Sequence, residues 1–185
     1  MPFSVSIDKE KTLQSLLYIC ANSPRTDLIH ILKILYFAEQ YHLQNFGRLI
    51  CGSTYARMQY GPVPSEAYDI LKAIDDRRDN YFATTNPILI ERARIMIRVE
   101  KPNQYPCFYP TTKPDETIFS KSDIKSFDWA IREIGSLNFG ELKEKSHDQL
   151  WKVASENKLH WIPIETMVSV MPNKDALLEF LSDRG

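Results

Sequence analysis

Glu39 and His42 stand three residues apart inside an otherwise apolar stretch, a spacing that puts a carboxylate and an imidazole on one helical face. Di-iron helix bundles use such a Glu-x-x-His pair. They also need a second copy and further Glu ligands from neighbouring helices, and the chain has no second copy. His30 and His42 are twelve residues apart, which is not the i, i+4 pair of a helical zinc site. The spacing therefore predicts surface or structural roles for Glu39 and His42, and no metal.

His147-Asp148 followed by Trp151 has the residue types of an acid/base pair, but general-base chemistry needs a defined neighbour and a cleft. The segment predicts capping and packing instead: Ser146 as a helix N-cap, His147 and Asp148 in the first turn, and Trp151 docking the helix. The six glycines are scattered and form no phosphate-binding loop, so no nucleotide cofactor is expected. Arg92, Arg94 and Arg98 would share one face of a strand, available to phosphate, to a carboxylate-rich partner or to water. Cys20, Cys51 and Cys107 are widely spaced and without a Cys-x-x-Cys pair, which predicts reduced thiols in a core. No catalytic residue is assigned.

These residues belong to a chain of 185 residues, 43% hydrophobic and 25% charged, the balance of a globular protein of one domain spanning 1–185. Twenty-three Lys and Arg face 24 Asp and Glu, a net charge of −1 that gives no general attraction to nucleic acid. The apolar stretches are too short and interrupted to span a bilayer, and residues 1–10 show no secretory pattern, so a cytoplasmic location is expected.

Leu13, Leu16, Leu17 and Cys20 predict a helix over 8–21, and Thr26 is the expected N-cap of a second helix that ends at Gly47. Tyr60-Gly61-Pro62-Val63-Pro64 reads as a rigid turn into a third helix from Ser65. Ile95, Ile97 and Val99 alternate with Arg94, Met96 and Arg98, which predicts a strand paired with 105–109 and joined by the Arg57–Tyr60 segment. Ser120 and Asp123 open a helix ending near Gly135, and four shorter helices follow over 139–145, 147–156, 164–171 and 174–182. The fold class is α+β, predominantly α-helical, with a small antiparallel β-sheet.

Two motifs in register carry a resemblance. Lys33-Ile-Leu-Tyr-Phe-Ala-Glu-Gln-Tyr-His, followed by Gly52-Ser-Thr-Tyr-Ala-Arg-Met-Gln-Tyr-Gly-Pro-Val-Pro and Tyr68-Asp-Ile-Leu-Lys, resembles the Panacea, or SocA-like antitoxin, domain. Ser146-His-Asp-Gln-Leu-Trp-Lys, with Ile162-Pro163 downstream, resembles its second motif, so the similarity covers residues 28–170. It departs from the commoner pattern in having Gln59 before Tyr60 and no appended helix-turn-helix.

The resemblance implies a mostly helical domain that neutralises a cognate protein toxin, encoded by the adjacent gene, by direct contact. Some family members are phage-associated. Two alternatives stay open: an adaptor that delivers the toxin to a protease, and a DNA-binding regulator. Homodimerisation is also left open. From their chemistry, the residues expected at a partner surface are Tyr41 and His42 on the second helix, Arg57 and Met58 before the turn, Tyr60, Gly61, Pro62 and Val63 within it, and His147 and Trp151. The turn itself is read first as a fold determinant.

Overall fold

A computed structural model describes residues 6–76 and 80–182. The charged end expected for the third helix extends to residue 79, and its last three residues lie outside the described ones. The chain forms α1 (Lys9–Asn22), α2 (Leu28–Phe46), β1 (Tyr55–Met58), β2 (Gly61–Pro64) and α3 (Ser65–Asp76). Next come α4 (Tyr81–Thr85), α5 (Pro87–Met96), β3 (Ile97–Glu100), β4 (Cys107–Pro110) and α6 (Lys121–Ile134). The final elements are α7 (Phe139–Ser146), α8 (Gln149–Glu156), β5 (Trp161–Ile162), α9 (Ile164–Ser169) and α10 (Lys174–Ser182). The architecture is mostly helical with small antiparallel sheets, as the hydrophobic periodicity predicts.

Helix α2 is the axle. Every residue from His30 to Glu39 is buried, which is the condition of a helix surrounded by others rather than lying on a surface. It packs most heavily along α6 and also against α1, α3 and β2. Its core side chains include Ile31, Ile34, Leu35 and Tyr36, each fully buried; burial of such a side chain contributes about 1.5–3 kcal/mol. The N-cap is Asp27 and not Thr26, because the Asp27 carboxylate accepts the His30 N–H at 3.2 Å. Gly47 ends the helix at φ 70°, as its placement predicts. Helix α6 begins with the expected capping box, Ser120 and Asp123 each accepting the other's backbone N–H.

Strands β2, β1 and β5 form one antiparallel sheet, with Tyr55 opposite Pro64 on one side and opposite Ile162 on the other. The segment read as a rigid turn is therefore mainly a strand: only Gln59 and Tyr60 turn, and Gly61–Pro64 pair back onto β1. Pro62 and Pro64 are tolerated because β2 is an edge, where a missing N–H breaks no second ladder.

Strands β3 and β4 form a separate pair, so the Arg57–Tyr60 segment does not join them. The strand expected through Arg94 is also corrected. Residues 87–96 are helical, with Ile90 and Ala93 buried three residues apart, while Ile95 is exposed. Arg92 and Arg94 thus lie on α5 and form no common strand face with Arg98. Arg92 pairs with Glu10, Arg94 with Glu91, and Arg98 with Glu100.

Candidate functional site: a clamped hairpin beside two aromatic helices

The β1–β2 hairpin is held by side chains at three of its carbonyls. Lys33 Nζ, from α2, donates to Pro62 O at 2.7 Å. Trp151 Nε1, from α8, donates to Met58 O at 2.9 Å, and His147 Nε2 donates to Gln59 O at 2.9 Å. The His147 and Trp151 rings lie 3.9 Å apart and nearly parallel, one turn apart in the chain, so each orients the other's bond to the hairpin. Gly61 takes the left-handed step after the turn at φ 95°, and a Cβ there would lie 2.7 Å from Ser146 Cβ. Glycine is needed at this position both for backbone angle and for space.

The other side of the clamp is Asp148, the N-cap of α8. Its carboxylate accepts the Trp151 backbone N–H at 2.9 Å and the Tyr36 hydroxyl at 2.8 Å, while Gln40 donates both to it and to the Tyr36 oxygen. Ser146, expected as the cap, instead closes α7 by donating its hydroxyl to Leu142 O. Lys33, Tyr36 and Gln40 recur every three or four residues along α2, so one stripe of that helix grips both β2 and the start of α8. Burial lowers the Lys33 ammonium to about 7, against an upward pull from Asp148, and burial together with Asp148 holds the Tyr36 phenol well above its ordinary value.

The hairpin's outer side remains accessible. Met58 is 38% and Tyr60 40% exposed, and Phe139 at the start of α7 is 46% exposed. Tyr60 meets Phe139 edge-on at 5.3 Å, with Lys143 Nζ 5.7 Å from the tyrosine ring centroid. Trp161 of β5, opposite Ala56, adds another half-exposed aromatic on the same sheet.

A family model described as antitoxin SocA-like, Panacea domain, matches residues 31–152. The chain belongs to that family. No curated protein and no solved structure matches it at a significant level. The Panacea match begins inside α2 and ends inside α8, so it takes in both halves of the clamp and leaves out α1, β5, α9 and α10. It is shorter at both ends than the 28–170 resemblance.

The structure brings Met58, Tyr60, Gly61, Pro62, His147 and Trp151 together around this Panacea hairpin. Val63 is buried in the same strand, and Arg57 is turned toward Leu159 O, which its Nε reaches at 2.7 Å. Tyr41 and His42 lie apart from it. Tyr41 stacks on Trp129 of α6 at 4.5 Å, and His42 is fully buried, bonded to Arg48 O at 2.8 Å and Ser122 Oγ at 3.0 Å. Glu39 is fully buried too, its carboxylate accepting the backbone N–H of Ile50 and Cys51; burial raises it to about 7. The choice between surface and structure for this pair is settled as structure.

Sequence reasoning missed Phe139, Lys143 and Trp161. Phe139 and Lys143 are four residues apart within a predicted helix, the one signal that could have placed them on one face. Among the described residues, no group of three or more His, Cys, Asp or Glu could hold a metal ion, and no helix is long and apolar enough to cross a membrane.

Proposed function

We propose that this Panacea-domain protein is an antitoxin that neutralises a cognate protein toxin by binding it through the hairpin face. The observation that carries the reading is convergence: Lys33 of the first motif segment, and His147 and Trp151 of the last, all bond the hairpin that carries Tyr60–Pro64. Three of its carbonyls are fixed by side-chain donors, and it offers Met58 and Tyr60 beside Phe139. A rigid loop bearing aromatic anchors loses little conformational entropy on docking, and such anchors are the residue types that dominate binding energy. Binding rather than catalysis fits the polar groups of α2, since His30, Lys33, Glu39 and His42 are each bonded to backbone or a neighbouring helix.

The test is co-expression with the product of the adjacent gene. Expression of that product alone should arrest growth, this protein should restore it, and the two should co-elute as a complex. Tyr60→Ala combined with Met58→Ala should lose rescue while keeping the parent's Tm. A neighbour that is harmless alone, or arrest that persists despite this protein, would sink the reading. Rescue that requires a housekeeping protease and lowers toxin abundance would replace it with the adaptor reading.

A further inference from the structure

We propose that the groove between α2 and α6 is a second docking surface, one that receives an acidic amphipathic helix of a protein partner. Lys121, Lys125, Asp128 and Arg132 occupy consecutive turns of α6 and are all exposed, so they form one stripe along the helix. From Lys121 to Arg132 the stripe runs about 16 Å at 1.5 Å per residue. The stacked Tyr41–Trp129 pair and Ile124 line the same depression, a groove of about 380 Å³. Phe46, 38% exposed, lies nearby with Lys125 Nζ 5.9 Å from its ring centroid.

The charge is local and positive. Three cations stand against one carboxylate, and that carboxylate accepts the Tyr18 hydroxyl at 2.7 Å. Arg132 approaches the neighbouring Glu133 no closer than 3.8 Å. In a chain of net charge −1, this concentration is a feature of the face rather than of the molecule.

Two properties select a helix carrying carboxylates over a nucleic acid. The aromatic rings already stack on each other and are half-buried, so neither stands free as a platform for successive bases. The cations also repeat at helical spacing, which Glu or Asp at i, i+4 and i+11 of an adjacent helix can meet while Leu side chains cover Ile124 and Trp129. This surface is distinct from the hairpin and stands or falls independently of it.

The experiment is an NMR titration of the isotope-labelled full chain with an 18-residue helical peptide bearing Glu at i, i+4 and i+11 and Leu on the same face. A peptide with Lys in place of Glu and a ten-nucleotide oligouridylate are the comparisons. The acidic peptide should shift resonances of residues 41–46 and 121–132, and its affinity should fall at least tenfold between 50 and 300 mM NaCl. The double variant K125E/R132E, altered at exposed positions only, should keep the parent's Tm and lose the shifts. Equal binding of the Lys peptide, shifts elicited by the oligonucleotide alone, no shift with any probe, or retained binding by the double variant would each overturn the proposal.

Discussion

Lys33 carries an ammonium at 1% exposure that donates to a carbonyl, Pro62 O. Its ordinary value of 10.5 applies in the unfolded chain, and burial lowers it to about 7 in the fold. Below pH 7 both states are protonated and the fold bears the full cost of a buried charge; the cost shrinks as pH rises toward 10.5 and vanishes above it. Lys33→Met removes that cost but leaves Pro62 O without its donor, an opposing loss of about 1–3 kcal/mol. The Tm of Lys33→Met relative to the parent should therefore be highest near pH 6 and should fall steadily toward pH 10. Thermal melts at three pH values check this, and a pH-independent difference would refute it. At the same time hairpin amides should exchange faster in the variant at every pH, because one of the three tethers is gone.

Glu39 shows why residue type alone did not reveal its job. An acidic residue three positions from a histidine has the same sequence signature whether it binds a metal, faces water or latches a loop. Only the return of residues 50 and 51 to α2 decides, and that is a long-range event. Glu39→Ala should orphan two buried N–H donors, each worth about 1–3 kcal/mol, so a loss of roughly 3 kcal/mol is expected in urea denaturation. Glu39→Gln, which keeps one acceptor oxygen, should recover part of it.

At the scale of elements, the hairpin unites a backbone requirement with a packing requirement. Gly61→Ala would impose φ 95° on a residue with a Cβ and drive that Cβ into Ser146, so a destabilisation of about 2–4 kcal/mol is expected from strain and overpacking together. Calorimetry should show the lowered Tm. A loss below about 0.5 kcal/mol would mean the hairpin shifts away from α7 at little cost.

The same segment marks where reading elements from sequence succeeds and fails. Caps are local chemistry, and Ser120 with Asp123, and Gly47, were legible, although Asp27 and Asp148 cap the helices where Thr26 and Ser146 were expected. Pro62 and Pro64 were not, since a proline pair reads as a turn until the sheet shows that β2 is an edge. The alternation at 94–99 misled for a related reason. The end of α5 and the start of β3 abut there without a break, and a period of two over six residues cannot separate them.

For the whole molecule, the core and its helical periodicity followed from the apolar pattern, whereas the convergence of Lys33, His147 and Trp151 on one hairpin required the fold. Helix α2 links the two proposed surfaces. Lys33 holds the hairpin, and Tyr41, eight residues on and about 12 Å along the axis, lines the α6 groove. If one toxin engages both, changes at the two faces should act independently, because residues this far apart without shared partners usually contribute additively. Tyr60→Ala should weaken toxin binding with little change in its salt dependence, since an aromatic anchor acts mainly through desolvation. K125E/R132E should weaken it most at low salt and flatten the salt dependence. The triple variant should then show a loss equal to the product of the two separate losses, measured by titration calorimetry at 50 and 300 mM NaCl. A combined loss well above that product would mean that α2 couples the faces; K125E/R132E leaving toxin affinity unchanged would mean that the groove receives a different acidic partner.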